Sequence, residues 1–175
     1  MRTRSRRWLI VIPIVLFAIL AGGYVYMISS GSVNVQEAST LPVPEGDGEP
    51  PLYERPPSEE RLMQDIHQMA HQKILAKQKW GALQITQNRI DEMHAQAVAG
   101  DYEHKDTYLG ILEKWKAGDF SESVKAHNAV WKLQGGTIGK AKRLLTTEEE
   151  LKYIRAEFGN KFADVYESVD KNPGG

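Results

Sequence analysis

His67 and His71 stand four residues apart in a helical stretch, which sets both imidazoles on one side of a helix and within reach of one metal ion. Imidazole nitrogens suit zinc and the other borderline divalent ions. A zincin carries Glu directly after its first His, whereas this chain has Gln68 there. A third ligand has to come from His94, His104, His127 or a carboxylate, and the sequence selects none of them. On a helical wheel His67 borders the apolar arc and His71 lies outside it. The plainer expectation is therefore a half-buried, hydrogen-bonded pair. No metal and no other cofactor is expected, with His67 and His71 held as the metal candidates.

His127 falls on an apolar stripe between Val124 and Trp131. A buried imidazole must find partners for its ring nitrogens. Asn128 is adjacent but points about 100° away around the helix, so the partner is expected on another helix. Acid-base catalysis needs a nucleophile or carboxylate beside the ring in a cleft. No such constellation is readable, and no catalytic residue is assigned. Gln134-Gly135-Gly136-Thr137-Ile138-Gly139-Lys140-Ala141 has the look of a phosphate loop. It lacks the first Gly, the Ser or Thr after the Lys, and a preceding strand. A helix stop, a turn and a new short helix from Thr137 account for it better. Lys140, Lys142 and Arg143 could meet an anion such as a lipid headgroup or a wall teichoic phosphate, although a solvated basic face is commoner. Trp80, Trp115 and Trp131 are candidates for an aromatic-lined groove. With Phe120, Phe158 and Phe162 they read most simply as core.

The elements that must position these residues are helical from Ser58 onward. Ser58 is a plausible N-cap with Glu59 and Glu60 in the first turn, followed by Leu62, Met63, Ile66, Met69, Ala70 and Ile74 on one face. A second helix starts after Thr86 and ends at Gly100. A third runs from about Glu103 to Gly118, and a fourth from Asp119 to Gly135-Gly136. Thr147 with Glu150 makes a capping box for a fifth, which Gly159 may break before Phe162, Val165, Tyr166 and Val169 continue it. No stretch alternates with strand period. The expected fold class is all-α: a bundle of about five short helices over residues 58–170, with a flexible C-terminus at 171–175.

Ahead of that domain lies a different kind of chain. Residues 8–28 carry no charged side chain, and twelve of them are Leu, Ile, Val or Phe. A helix of that length spans roughly 31 Å, close to the thickness of a bilayer's hydrocarbon core. Those side chains favour insertion by about 4 to 7 kcal/mol. Arg2, Arg4, Arg6 and Arg7 precede the span, and no Lys or Arg follows it until Arg55. The expectation is a single-pass transmembrane helix with residues 1–7 in the cytoplasm and the rest outside the cell. A cleaved secretory signal ending near Ser29-Ser30-Gly31 is the alternative. Residues 29–57 contain six prolines and five acids against one base. They read as a disordered Pro/acidic linker.

Composition narrows the remainder. The absence of Cys excludes disulfides, thiol catalysis and Cys-ligated zinc. With 22 Lys+Arg against 23 Asp+Glu, no strongly basic surface offers itself to nucleic acid.

The stretches 67–73 (HQMAHQK), 79–81 (KWG), 115–120 (WKAGDF) and 127–141 (HNAVWKLQGGTIGKA) resemble an uncharacterised family of short membrane-anchored proteins from Bacillus-type bacteria, classed as a domain of unknown function. The resemblance covers roughly residues 60–160. It implies topology and host class and brings no activity or catalytic residue. The resulting expectation is an extracytoplasmic helical binding or interaction module, partnered by the lipid bilayer and by another envelope protein or a cell-wall polymer. Two alternatives stay open. One is a metal-dependent or acid-base hydrolase of envelope material using His67, His71 and His127. The other is a regulator acting on a membrane neighbour through its transmembrane helix.

Overall fold

In a computed structural model of the chain the described residues are 37–171. The proposed cytoplasmic segment, the transmembrane span, residues 29–36 of the linker and residues 172–175 lie outside them. The described residues are mostly helical, with α1 (Glu59–Ala70), β1 (Ile74–Leu75), α2 (Gln87–Ala99), α3 (Lys105–Lys116), α4 (Ser123–Leu133), β2 (Arg143–Leu144), α5 (Thr147–Phe158) and α6 (Asn160–Lys171). None of these helices is long and apolar enough to cross a membrane.

Side-chain caps set where the first two helices begin. Ser58 is extended at φ −65° and ψ 161°, and its hydroxyl accepts from the Arg61 amide at 3.3 Å. Thr86 does the same for the Arg89 amide at 3.4 Å. Each satisfies one amide that a helix start leaves without an internal partner. Helices then pair by burying their apolar stripes: α1 on α4, α2 on α3, and α5 on α6. Leu62, Ile66 and Met69 of α1 meet Ile90 and Met93 of α2, Tyr108 and Leu112 of α3 and Val130 of α4 in one core. Each such side chain contributes roughly 1.5 to 3 kcal/mol through burial. A second, smaller core holds Ile154, Ala163, Tyr166 and Leu41.

Leu41 belongs to the segment expected to be a disordered linker, and residues 37–57 are instead packed on the domain. Leu41 and Pro44 are buried, while Val43, Leu52 and Tyr53 pack against the main core. The Pro44 and Glu45 carbonyls accept from the Gln87 and Asn88 amides at 2.9 and 3.0 Å. A proline-rich extended chain has no internal hydrogen bonds, so its carbonyls are free to cap the start of α2. One of its acids is also partnered. Glu49 pairs with Arg89 at 3.3 Å and accepts from Thr86 Oγ1 at 2.9 Å. Glu92, in return, accepts the Leu52 and Tyr53 amides at 2.7 and 2.8 Å. Composition alone could not reveal these specific partners.

Four smaller expectations change. Ile74, expected at the end of the first helix, lies in β1, which pairs antiparallel with β2 through Ile74–Leu144 and Leu75–Arg143. So short an apolar pair cannot be told from helix by periodicity. The helix expected from Thr137 is absent, and that stretch leads into β2. The capping box sits one residue earlier than expected, at Thr146 and Glu149. Glu150 is freed to turn inward, where it meets Lys73. Finally, the expected aromatic core is incomplete. Trp115 is buried and stacks on Phe120, but Trp80 is 63% exposed and Phe162 lies at the surface. Tyr108 and Tyr166 supply the buried aromatic volume instead.

Candidate metal centre

Packing of α1 on α4 brings His67, His71 and His127 together. His71 is the residue after α1, yet its backbone stays helical at φ −56° and ψ −30°. The four-residue spacing to His67 therefore keeps both rings on one face. Ring centroids are 4.9 Å apart for His67 and His71, 4.5 Å for His67 and His127, and 5.4 Å for His71 and His127. One ligating nitrogen from each ring lies within 4.8 Å of the other two. His127 is the third member that the sequence left unselected, and its partner does lie on another helix.

The hydrogen bonds decide which nitrogens converge. His71 Nδ1 is 2.9 Å from the Gly81 carbonyl, which can only accept. His127 Nδ1 is 3.1 Å from Asn128 Oδ1. That amide is oriented by both backbone groups of Ala141: Asn128 Nδ2 donates to the Ala141 carbonyl at 3.1 Å, and the Ala141 amide donates to Oδ1 at 2.8 Å. His67 Nδ1 bonds to Gln134 Oε1. Gln134 is oriented by donation from its Nε2 to Gln64 Oε1 at 2.9 Å. His71 and His127 thus carry their proton on Nδ1, and so does His67 with Gln134 Oε1 turned toward it. In that arrangement three Nε2 lone pairs are left over, and the Nε2 atoms of His67 and His127 lie 2.9 Å apart. Metal-binding histidines characteristically hold their second nitrogen in this way.

With both protons on Nδ1, two lone pairs at that distance repel unless a cation lies between them. A proton is disfavoured, because burial lowers the pKa of His67 and pushes His71 down to about 3 and His127 down to about 4. The hydrogen bonds to Gln134, Gly81 and Asn128 oppose the shifts without cancelling them. At neutral pH the three rings are uncharged, the state in which imidazole ligates metal. Three neutral nitrogens fit Zn(II), Co(II), Ni(II) or Cu(II) and do not fit Mg(II) or Ca(II), which take oxygen ligands. Tetrahedral zinc needs nitrogens about 3.3 Å apart, so His67 and His127 at 2.9 Å sit close to that bite, with a nitrogen of His71 within 4.8 Å of both.

A cleft of about 490 Å³ opens over the cluster. His67 and His71 are part of its lining, Trp80 and Trp131 flank it, and Glu60 and Met63 line its continuation along α1. Trp80 is carried by the loop whose Gly81, at φ +78°, turns its carbonyl onto His71. Lys79 in the same loop donates to the His71 carbonyl at 2.7 Å and lies 4.2 Å from the centre of the Tyr153 ring. Burial lowers its pKa to about 8.

A family model described as a family of unknown function, DUF6241, matches residues 66–155, just over half of the 175-residue chain. The chain belongs to this family. The DUF6241 span contains His67, His71 and His127 together with Trp80, Gly81, Asn128, Trp131 and Gln134, so most of the candidate centre is family territory. No curated protein and no solved structure matches the chain.

The other candidates fall elsewhere. Trp115 is core. Arg143 forms a two-pronged pair with Glu149 at 2.7 and 2.8 Å, which neutralises it as an anion site. Lys140 and Lys142 are exposed and line neither the cleft nor the cluster. Asn128, discounted because it points around the helix, reaches His127 after all, since its side chain swings back while Ala141 holds it. Gln64, Gln134 and Gly81 were not singled out as partners of the histidines. Gln64 does lie three residues before His67, on the same helix face.

Proposed function

We propose that this protein is a metal-binding module of the cell envelope, holding one zinc-like divalent ion through Nε2 of His67, His71 and His127. The convergence of one ligating nitrogen from each of three imidazoles, with every Nδ1 engaged by an oxygen, carries this reading. Three protein ligands leave a fourth position, and the cleft beside His67 and His71 is where a ligand would reach it. We also propose that residues 8–28 anchor the domain and that it works outside the cell, as the charge-free span behind four arginines supports. A reporter fused to the C-terminus should then be active only outside the cytosol.

The metal test uses the full chain in detergent. Titration with Co(II) should give one equivalent of tetrahedral visible bands, displaced by Zn(II). His127→Ala should weaken binding by more than about 100-fold, beyond the loss typical of an outer-shell change, while its far-ultraviolet circular dichroism stays native. Sub-stoichiometric metal, or a melting temperature indifferent to Zn(II), would sink the proposal. A metal-dependent hydrolase is the second possibility, favoured by the three-ligand count that catalytic zinc sites share. It predicts Zn(II)-dependent cleavage of an activated ester, lost in His127→Ala.

A further inference from the structure

We infer that the cleft takes a singly charged carboxylate with an apolar body, its carboxylate serving as the fourth ligand of the metal and its body lying against Trp80 and Trp131. This rests on the metal reading above and adds the chemical class of the ligand.

Charge points to an anion. Among the described residues, the group of His, Asp and Glu side chains that can share an ion contains three imidazoles and no carboxylate. A divalent ion held by neutral nitrogens keeps both its charges, and the nearby ammonium of Lys79 adds another. Partial burial makes an uncompensated charge costly, so the open position favours a negative donor.

The rest of the cleft limits how much charge the ligand can carry. Glu60 lines it seven residues before His67, roughly 10 Å along the helix. A polyanion such as a phosphodiester polymer, laid along the cleft, would run into that carboxylate. A single anionic head at the metal avoids it. The polar groups nearby are also largely engaged. Gln134 bonds His67 and Gln64, and Trp131 Nε1 donates to the Ile138 carbonyl at 2.8 Å. What remains for the body of the ligand is chiefly apolar: Met63 and the Trp80 and Trp131 rings. Such a surface orients a hydrocarbon or aromatic group rather than a sugar rich in hydroxyls.

The test titrates the Co(II)-loaded full chain with acetate, 3-phenylpropionate, its methyl ester and inorganic phosphate, following the visible bands. The acid should shift the bands and bind about tenfold more tightly than acetate, with the ester inert. Trp80→Ala should remove most of that advantage, and Glu60→Gln should improve phosphate binding by roughly threefold. Bands that ignore both carboxylates while cobalt stays bound would overturn this inference and leave the metal site standing. Equal affinity for acetate and 3-phenylpropionate, or tighter phosphate than carboxylate, would overturn it as well. Failure of cobalt to bind would overturn both.

Discussion

Lys73 and Glu150 are as deeply buried as His71 and His127, but the two groups offset the cost of leaving water in opposite ways. The ion pair cancels its own charge, leaving Glu150 Oε2 as the buried atom of the pair with no hydrogen-bond partner among the described residues. Lys73 Nζ lies 2.8 Å from Glu150 Oε1, contacts the Leu41 carbonyl at 3.4 Å and sits over the Phe120 ring. Gln72 donates to Glu150 at 3.0 Å and accepts the Ile85 amide at 3.1 Å, and Tyr166 bonds the Ile85 carbonyl. Opposite charges cancel, and the pair links the turn before β1, α5 and the segment before α1. The histidines stay neutral, engage Nδ1 with oxygens, and bring Nε2 of His67 and His127 to 2.9 Å of each other. A buried centre whose opposite charges cancel holds a fold together, whereas converging neutral nitrogens are what the proposed metal site requires.

The sharpest way to break this contrast is to unpair the ion pair. Lys73→Met strands a buried carboxylate and should cost about 3 to 5 kcal/mol in denaturant unfolding. Lys73→Met with Glu150→Leu should recover most of that loss. Similar losses in single and double variants would deny that the pair cancels its own charge.

Next in size is the response to metal. Zn(II) at a hundred times its Kd should stabilise the wild type by about 2.7 kcal/mol and leave His127→Ala unmoved. Lys73→Met should still show the zinc increment, provided it folds, because the two centres share no hydrogen bond. Asn128→Ala frees Nδ1 of His127 and unpairs the Ala141 amide. It should weaken metal binding about 10- to 100-fold, read by competition with a chelator.

The smallest effect belongs to the surface. Arg143, by hydrogen bonding, holds the Glu149 carboxyl down to about 2, against an ordinary value of 4.5. Its contribution is present above 4.5 and is lost as pH falls through 2. Solvent reaches the pair, whose side chains are 37% and 32% exposed, so it should amount to about 1 kcal/mol or less. Acid unfolding of Glu149→Gln should lack that slope.

Much of the helical frame was legible because caps and stops are local. Ser58, Thr86, Gly100 and Gly118 mark ends that the structure places within two residues. The His67–His71 face was legible for the same reason. His127 joins that face across 60 residues of chain, through packing of α1 on α4 that no local spacing encodes. The capping box slipped by one because Thr146-Thr147 and Glu149-Glu150 offer two registers, and the distant partner Lys73 of Glu150 together with Arg143 on Glu149 favours the one observed. Trp80 looked like core because its aromatic bulk is visible in sequence, while the loop that carries it outward is not.

Gly81 has one further consequence. Its backbone sits at a left-handed φ of +78°, which a side chain would strain, and its carbonyl holds the proton of His71. Its neighbour Trp80 stands at the mouth of the cleft. If the proposed metal site holds, a guest that levers that indole aside would also move the acceptor behind it, which would couple entry of the guest to the grip on the ion.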